Sequence, residues 1–196
     1  MNDAAFIIGN GPSRTPIDLN ALSEQEGIII GCNALYRDFA GFDFLVSIDP
    51  QFQAIIESVE EAMGMDERFI FPPEDECWES AEYNPYKRRR SNAGMNAMSE
   101  AIKRGYKNIH CLGFDFILAD DSAIDNIYEG SDGYGPLTKS NHSDTVHRLA
   151  YFEWFARKHN DVNFIFVIPE GKECQIIEAS NVTGTFINTF KKKWNC

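Results

Sequence analysis

The stretch Arg88 to Phe116, RRRSNAGMNAMSEAIKRGYKNIHCLGFDF, sets three arginines ahead of a helix start and a strand behind it, the sequence form of an anion site. Ser91 and Asn92 are both N-cap residue types, Gly94 falls in the first turn, and Met95, Met98 and Ile102 recur at i, i+3 and i+7 as one apolar face. A helix begun in this way offers unpaired backbone N–H groups and the positive end of its dipole. Arg88, Arg89 and Arg90 stand at that end, so a phosphate or carboxylate is the ligand class the pattern suits. Gly105 marks the helix end, and Asn108 to Leu112 predicts a short strand running into Gly113-Phe114-Asp115-Phe116. By itself such a charge run also reads as the solvated lead-in to a surface helix.

Other chemistry-bearing residues fall at predicted strand ends. Ala4 to Ile8 is a short apolar run ending in Gly9-Asn10-Gly11-Pro12-Ser13, where the glycines allow close backbone approach and the Asn10 amide can both donate and accept. Arg14 stands where a third glycine would complete G-x-G-x-x-G, and no Walker A pattern follows, so the turn is either a ligand loop or a simple reversal. Gly27 to Gly31 predicts a second buried strand ending at Cys32-Asn33. Phe44 to Ile48 predicts a third, ending at Asp49-Pro50, where Asp49 either meets a ribose hydroxyl or caps the helix expected over Gln51 to Met63. Asp115 likewise is a ligand contact or an anchor for the loop that follows it. In open α/β sheets this edge holds ligands.

From about residue 117 to 141 the chain is rich in Gly, Ser, Asp and Tyr and lacks periodicity, the mark of a lid-like loop; it carries Tyr128 and Tyr134. His142 follows it. It is the histidine placed to act as a general base, although it also suits a helix entry. Asp120 and Asp121 form a pair that could hold a divalent ion or simply be solvated, and no D-x-D or H-E-x-x-H motif is present.

These residues need elements to position them. Arg68 to Phe71 predicts a fourth strand, Thr145 to His159 a helix with Val146, Leu149, Ala150, Phe152, Trp154 and Phe155 on a broad face, and Asn163 to Ile168 the last clear strand. Strand and helix alternate throughout, which predicts an α/β fold: one domain spanning residues 1–196, its mostly parallel sheet covered by helices on both faces. At 196 residues and 43% hydrophobic, the chain can bury a full core. A net charge of −12 argues against a general nucleic-acid binder. Five scattered cysteines without a C-x-x-C pair, no long apolar run and no signal-peptide start predict reduced thiols and a cytoplasmic protein. The basic tail around Lys191 to Lys193 could meet a partner or a membrane surface.

Ile7-Ile8-Gly9-Asn10-Gly11-Pro12-Ser13, Cys32-Asn33, Arg90-Ser91-Asn92-Ala93-Gly94, Leu112-Gly113-Phe114-Asp115-Phe116 and His142-Ser143 together resemble, in order and spacing, the bacterial sialyltransferases of glycosyltransferase family 42. The resemblance implies a Rossmann-like, GT-A-type fold and metal-independent transfer of a sugar, sialic-acid-like among the options, from a CMP-activated donor to a glycan hydroxyl. It implies nucleotide contacts from Gly9, Asn10, Gly11, Ser13 and Asn33, with Asp49, Gly113 and Asp115 at the same edge. Asn92, Ala93 and Gly94 would meet the phosphate or donor sugar, Arg90 a charged group nearby, and His142 would be the base. It also implies a homo-oligomer, and neither cofactor nor metal. Three positions depart from the family: Asp49 replaces an Asn, Ala93 a Ser, and Ile117 a phosphate-binding Tyr, for which Tyr128 or Tyr134 are the candidate substitutes. The opening motif and the G-x-D-F element are similar, more weakly, to archaeal pterin pyrophosphokinases. Those use magnesium and ATP, and there Asp49, Asp115 and Asp120 or Asp121 would hold the metal. A non-catalytic nucleotide or glycan-binding module is the remaining expectation.

Overall fold

The computed structural model describes residues 3–63, 66–71, 92–135 and 140–196. Among the described residues, seven strands form one sheet: β1 (Ala4–Ile8), β2 (Ile28–Cys32), β3 (Phe44–Val46), β4 (Phe69–Ile70), β5 (Asn108–Leu112), β6 (Asn163–Ile168) and β7 (Val182–Phe186). All neighbours are parallel, in the order β4-β3-β2-β1-β5-β6-β7. The chain winds outward from β1 to one edge, then returns to β5 beside β1 and winds outward to the other. It is an α/β, Rossmann-like, doubly wound sheet, and the direction reverses between β1 and β5, where such sheets open a crevice at their carboxyl ends.

Burial explains the strand sequences. All five β1 residues are buried, because helices cover both faces and an unbroken apolar run is then required. On one face lie α3 (Ala93–Lys103) and α4 (His142–Lys158), packing Met95, Met98, Phe152 and Phe155 onto Ile7, Ile30, Cys111 and Phe166. On the other lie α1 (Leu19–Ser23), α2 (Pro50–Met63) and α5 (Ile187–Trp194), packing Leu22, Phe52, Ile56 and Phe190 onto Phe6, Ile8 and Leu45. The side chains of alternate strand residues point to opposite faces, which divides the core into these two layers.

Three expectations need correction. On α4 the buried residues are Thr145, Tyr151, Phe152, Phe155 and Ala156, while Val146 is 64% exposed, so the sheet-facing stripe is rotated from the broad apolar face expected. β7 follows β6 although its sequence, VTGTF, carries a glycine and leaves Thr183, Gly184 and Phe186 exposed at the sheet edge. The basic tail is a docked helix: Ile187, Phe190 and Trp194 are buried, so the apolar residues a membrane-lying helix would use are spent in the core. Among the described residues, no helix is long and apolar enough to cross a membrane.

α5 meets the sheet at His110. Its imidazole is 3% exposed, stacks on Phe6 at 5.5 Å, and lies 5.4 Å from Trp194 and 5.6 Å from Phe190 between ring centroids. Its Nδ1 has no hydrogen-bond partner. Burial, assisted by Lys193, lowers its pKa from 6.5 to about 4. The unfolded chain therefore binds this proton first as pH falls, and the stability contributed by the neutral ring is lost between those two values. In urea denaturation at pH 7 and pH 4.5, the acid-induced loss should be about 2–3 kcal/mol smaller for His110→Phe than for the natural chain; equal losses would assign the acid sensitivity elsewhere.

Candidate functional site

The site begins where the loops after β1 and β5 cross. Gly9 N–H donates to the Leu112 carbonyl at 2.7 Å and Gly11 N–H to the Gly113 carbonyl at 2.9 Å. Gly113 has φ +70, and a Cβ there would lie 2.9 Å from the Gly9 carbonyl oxygen. Only glycine meets both demands. Ser13 closes the crossing, donating its backbone N–H to Asp115 Oδ2 at 3.0 Å and its hydroxyl to Oδ1. A Cβ on Gly11 would sit 2.4 Å from the Asp115 carboxyl carbon. Burial raises the Asp115 pKa against the lowering effect of both Ser13 bonds, and Asp125 and Asp120 raise it further. Asp115 is thus foremost the anchor of its loop.

Arg14, the residue at the missing third glycine, is 4% exposed and ties this crossing to the long loop. Its Nε donates to the Gly9 carbonyl at 3.0 Å, and its Nη2 to Asp38 Oδ2 at 3.0 Å and to the Tyr128 hydroxyl at 2.8 Å. Tyr128 in turn donates to Asp38. That hydroxyl, whose pKa is raised by burial and by the Asp38 bond, is held between buried Arg14 and exposed Asp38, and Tyr128 is not among the residues lining the cavity between that loop and the sheet edge. Arg37 donates to Ser131 Oγ and the Asp132 carbonyl, both at 2.7 Å, and Ile127 N–H donates to the Asn10 carbonyl at 2.9 Å. The expected lid is thereby fastened, over its described part, as a wall.

Between this wall and the sheet edge lies a cavity of about 490 Å³. Gly9, Asn10, Gly11, Asn33 and Asp49 line it from the ends of β1, β2 and β3. Asn92, Ala93 and Gly94 line it from the start of α3, and Gly113 and Asp115 from the loop after β5. Asn92 caps that helix, its Oδ1 accepting from Met95 N–H at 3.0 Å. Gly94 leaves room for Phe114, whose ring would otherwise lie 2.3 Å from a Cβ. Tyr134 lines the opposite side. Its hydroxyl accepts from Asn10 Nδ2 at 2.7 Å, and burial pushes its pKa up to about 12. Asn10 Oδ1 and Asn33 Oδ1 are buried without a hydrogen-bond partner. Asn33 sits at φ 49, a left-handed conformation that asparagine tolerates better than most side chains.

Other expected residues fall elsewhere. Ser13 does not line the cavity, being spent on Asp115. Arg90 lies outside the described residues, as do its two neighbouring arginines and the connection over Pro72 to Tyr86. His142 opens α4 after the cap Asn141, its side chain 65% exposed and its Nε2 3.6 Å from Asp121 Oδ1. It lines a second cavity, of about 320 Å³, and Ala123 lines both. Asp120 is engaged by Lys172, which with Ser122 lowers its pKa to about 2. Among the described residues, no group of three or more His, Cys, Asp or Glu could hold a metal.

Three arginines escaped the sequence reading. Arg14 was legible only as a failed glycine, and Arg37 belonged to no motif. Arg148, the single cationic side chain among the described residues lining the main cavity, lies on α4 at i+3 from buried Thr145 and i−4 from buried Phe152. A charge at the edge of the sheet-facing stripe was the available signal.

Compared with known proteins, the chain matches no family model and no curated protein. Two solved structures are similar to it. A mutant of the alpha-2,3/8-sialyltransferase CstII has a TM-score of 0.49 and 16% sequence identity, over 83% of this chain and 80% of that one. The sialyltransferase CST-II in complex with trisaccharide acceptor and CMP has a TM-score of 0.45 and 11% identity, over 98% of each. Likeness this loose carries no argument about chemistry.

The crossing of the two loops can be tested directly. Gly113→Ala should destabilise the chain by about 1–3 kcal/mol, from its left-handed backbone and the clash with Gly9. An unchanged urea midpoint would show that the loops can separate without loss.

Proposed function

We propose that the chain is a metal-independent glycosyltransferase that moves a sugar, of sialic-acid type, from a CMP-activated donor to a glycan hydroxyl. The observation that carries this is the pair of amide oxygens, Asn10 Oδ1 and Asn33 Oδ1, buried without partners at the ends of adjacent strands beside the cavity. Buried acceptors left unpaired are rare and suit a ligand that brings N–H donors, as an amino-bearing base does. The first turn of α3 lies on the same cavity and offers N–H groups and a positive dipole end for the donor phosphate.

In this reading the base lies against Asn10 and Asn33 and the phosphate toward Asn92 to Gly94. The acceptor enters by the second cavity. His142 takes the proton from its hydroxyl, the oxygen forms a bond to the anomeric carbon, and the bond from that carbon to the phosphate oxygen breaks, its electrons leaving with CMP. Asp121 stands beside the base. Charge on the leaving phosphate is met by N–H donors and the dipole rather than by a metal.

One observation favours the magnesium-dependent pyrophosphokinase reading: Asp49, Asp125 and Glu129 also line the main cavity. Against it, Asp115 is held by Ser13, Asp120 by Lys172, and Asp121 faces His142. A thermal-shift series with CMP, CMP-sugars, UDP-sugars, GDP-sugars and ATP, each with and without magnesium, separates the two. CMP species at a hundredfold excess over Kd should stabilise the chain by about 2.7 kcal/mol, a rise of about 5–10 °C, whether or not magnesium is present. A rise confined to ATP with magnesium would transfer the assignment to phosphoryl transfer.

The base has its own test. His142→Ala should bind the donor with unchanged affinity and lose transfer by at least about a hundredfold. Unaltered transfer would remove His142 from the mechanism, and donor binding without transfer in the natural chain would indicate a binding module.

A further inference from the structure

We propose that Arg148 binds an oxyanion of the donor, either the phosphate of the nucleotide or the carboxylate of an acidic sugar. The inference rests on the nucleotide-donor reading above and adds to it the residue that meets the donor's negative charge.

Its position is the first ground. Thr145, Phe152 and Phe155 form the buried stripe of α4; Leu149 fills the turn between Thr145 and Phe152 against the core, and Arg148 beside it lies at the edge of the stripe on the side of the main cavity. Arg148 lies in the second turn of the helix, half-buried, and lines the main cavity. The start of α3 lines that cavity too, which sets backbone N–H donors and a guanidinium fork on one pocket.

The second ground is the commitment of the alternatives. Ile117 is aliphatic and 3% exposed, and offers no hydroxyl. The Tyr128 hydroxyl is held between Arg14 and Asp38. The Tyr134 hydroxyl already accepts from the Asn10 amide. The third ground is charge. Asp49, Asp115, Asp125 and Glu129 all line the cavity, and Arg148 is the cationic side chain set against them among the described residues. An anionic donor entering so acidic a pocket needs a local cation, and a bidentate guanidinium is suited to both phosphate and carboxylate.

The competing role is structural: a counter-ion to the cavity's own carboxylates. Calorimetric titration of the natural chain, Arg148→Gln and Arg148→Lys with cytidine, CMP and a CMP-activated acidic sugar separates these roles. If the phosphate is bound, Arg148→Gln should lower the preference for CMP over cytidine by about tenfold or more, with cytidine affinity unchanged and Arg148→Lys recovering part of the loss. If the carboxylate is bound, that preference should stand and the preference for the acidic-sugar nucleotide over CMP should fall by a similar factor. Unchanged cytidine affinity shows in either case that the variant has folded. Should Arg148→Gln keep both preferences while the natural chain binds CMP, the oxyanion assignment is overturned and the nucleotide reading survives. A natural chain that binds none of the three ligands overturns both.

Discussion

The contact between the loops after β1 and β5 is the constraint on which the rest of the structure depends. Ser13 and Asp115, 102 residues apart in sequence, join across it, and the backbones of Gly9, Gly11 and Gly113 run so close that a single Cβ would collide with a carbonyl or carboxylate. Fixing this crossing fixes where both loops leave the sheet. It therefore sets the position of Asn10 on one side and of Phe114 on the other, and Phe114 in turn rests on Gly94 at the start of α3. The apolar core supplies most of the driving force for folding, but burial is non-directional. The hydrogen bonds and short backbone contacts at the crossing give the cavity its shape.

Charge is arranged around the same place. The chain carries −12 overall, yet two arginines are drawn inward to build the cavity wall. Arg14 shows why a buried cation is tolerated: the Gly9 carbonyl, Asp38 and Tyr128 all accept from or pair with it, so its charge is compensated in three directions. The same network holds the Tyr128 hydroxyl. Arg37 adds bonds to Ser131 and Asp132 and rests over the Phe52 ring, which holds the wall against α2. A connection that is irregular in sequence becomes a rigid boundary because its partners are distant residues rather than its own periodicity.

The glycines illustrate how a residue can be noticed for one reason and required for another. Gly9, Gly11 and Gly94 suggest close approach of a ligand to the backbone, and all three do line the cavity. Their immediate neighbours, though, are Gly113, Asp115 and Phe114 of the same chain. Protein packing makes these positions glycine, and the open edge that results is what a ligand can use.

Much of the fold was legible in the sequence. β1, β5 and β6 lie where their apolar runs predict, Asn92 caps α3 as its type and position require, and two strands lead into asparagines that line the cavity. These features depend on hydrogen bonds and periodicity within a few residues, so local sequence determines them. The edge strand β7 was not legible, since a short segment with a glycine and exposed threonines becomes a strand only when β6 lies beside it. Nor were the Arg14 network, the inward placement of Arg148 or the seating of His142 in a neighbouring cavity. Each depends on which strands are adjacent and which helix face meets the sheet. Those are relations between segments tens of residues apart, and only the packed chain decides them.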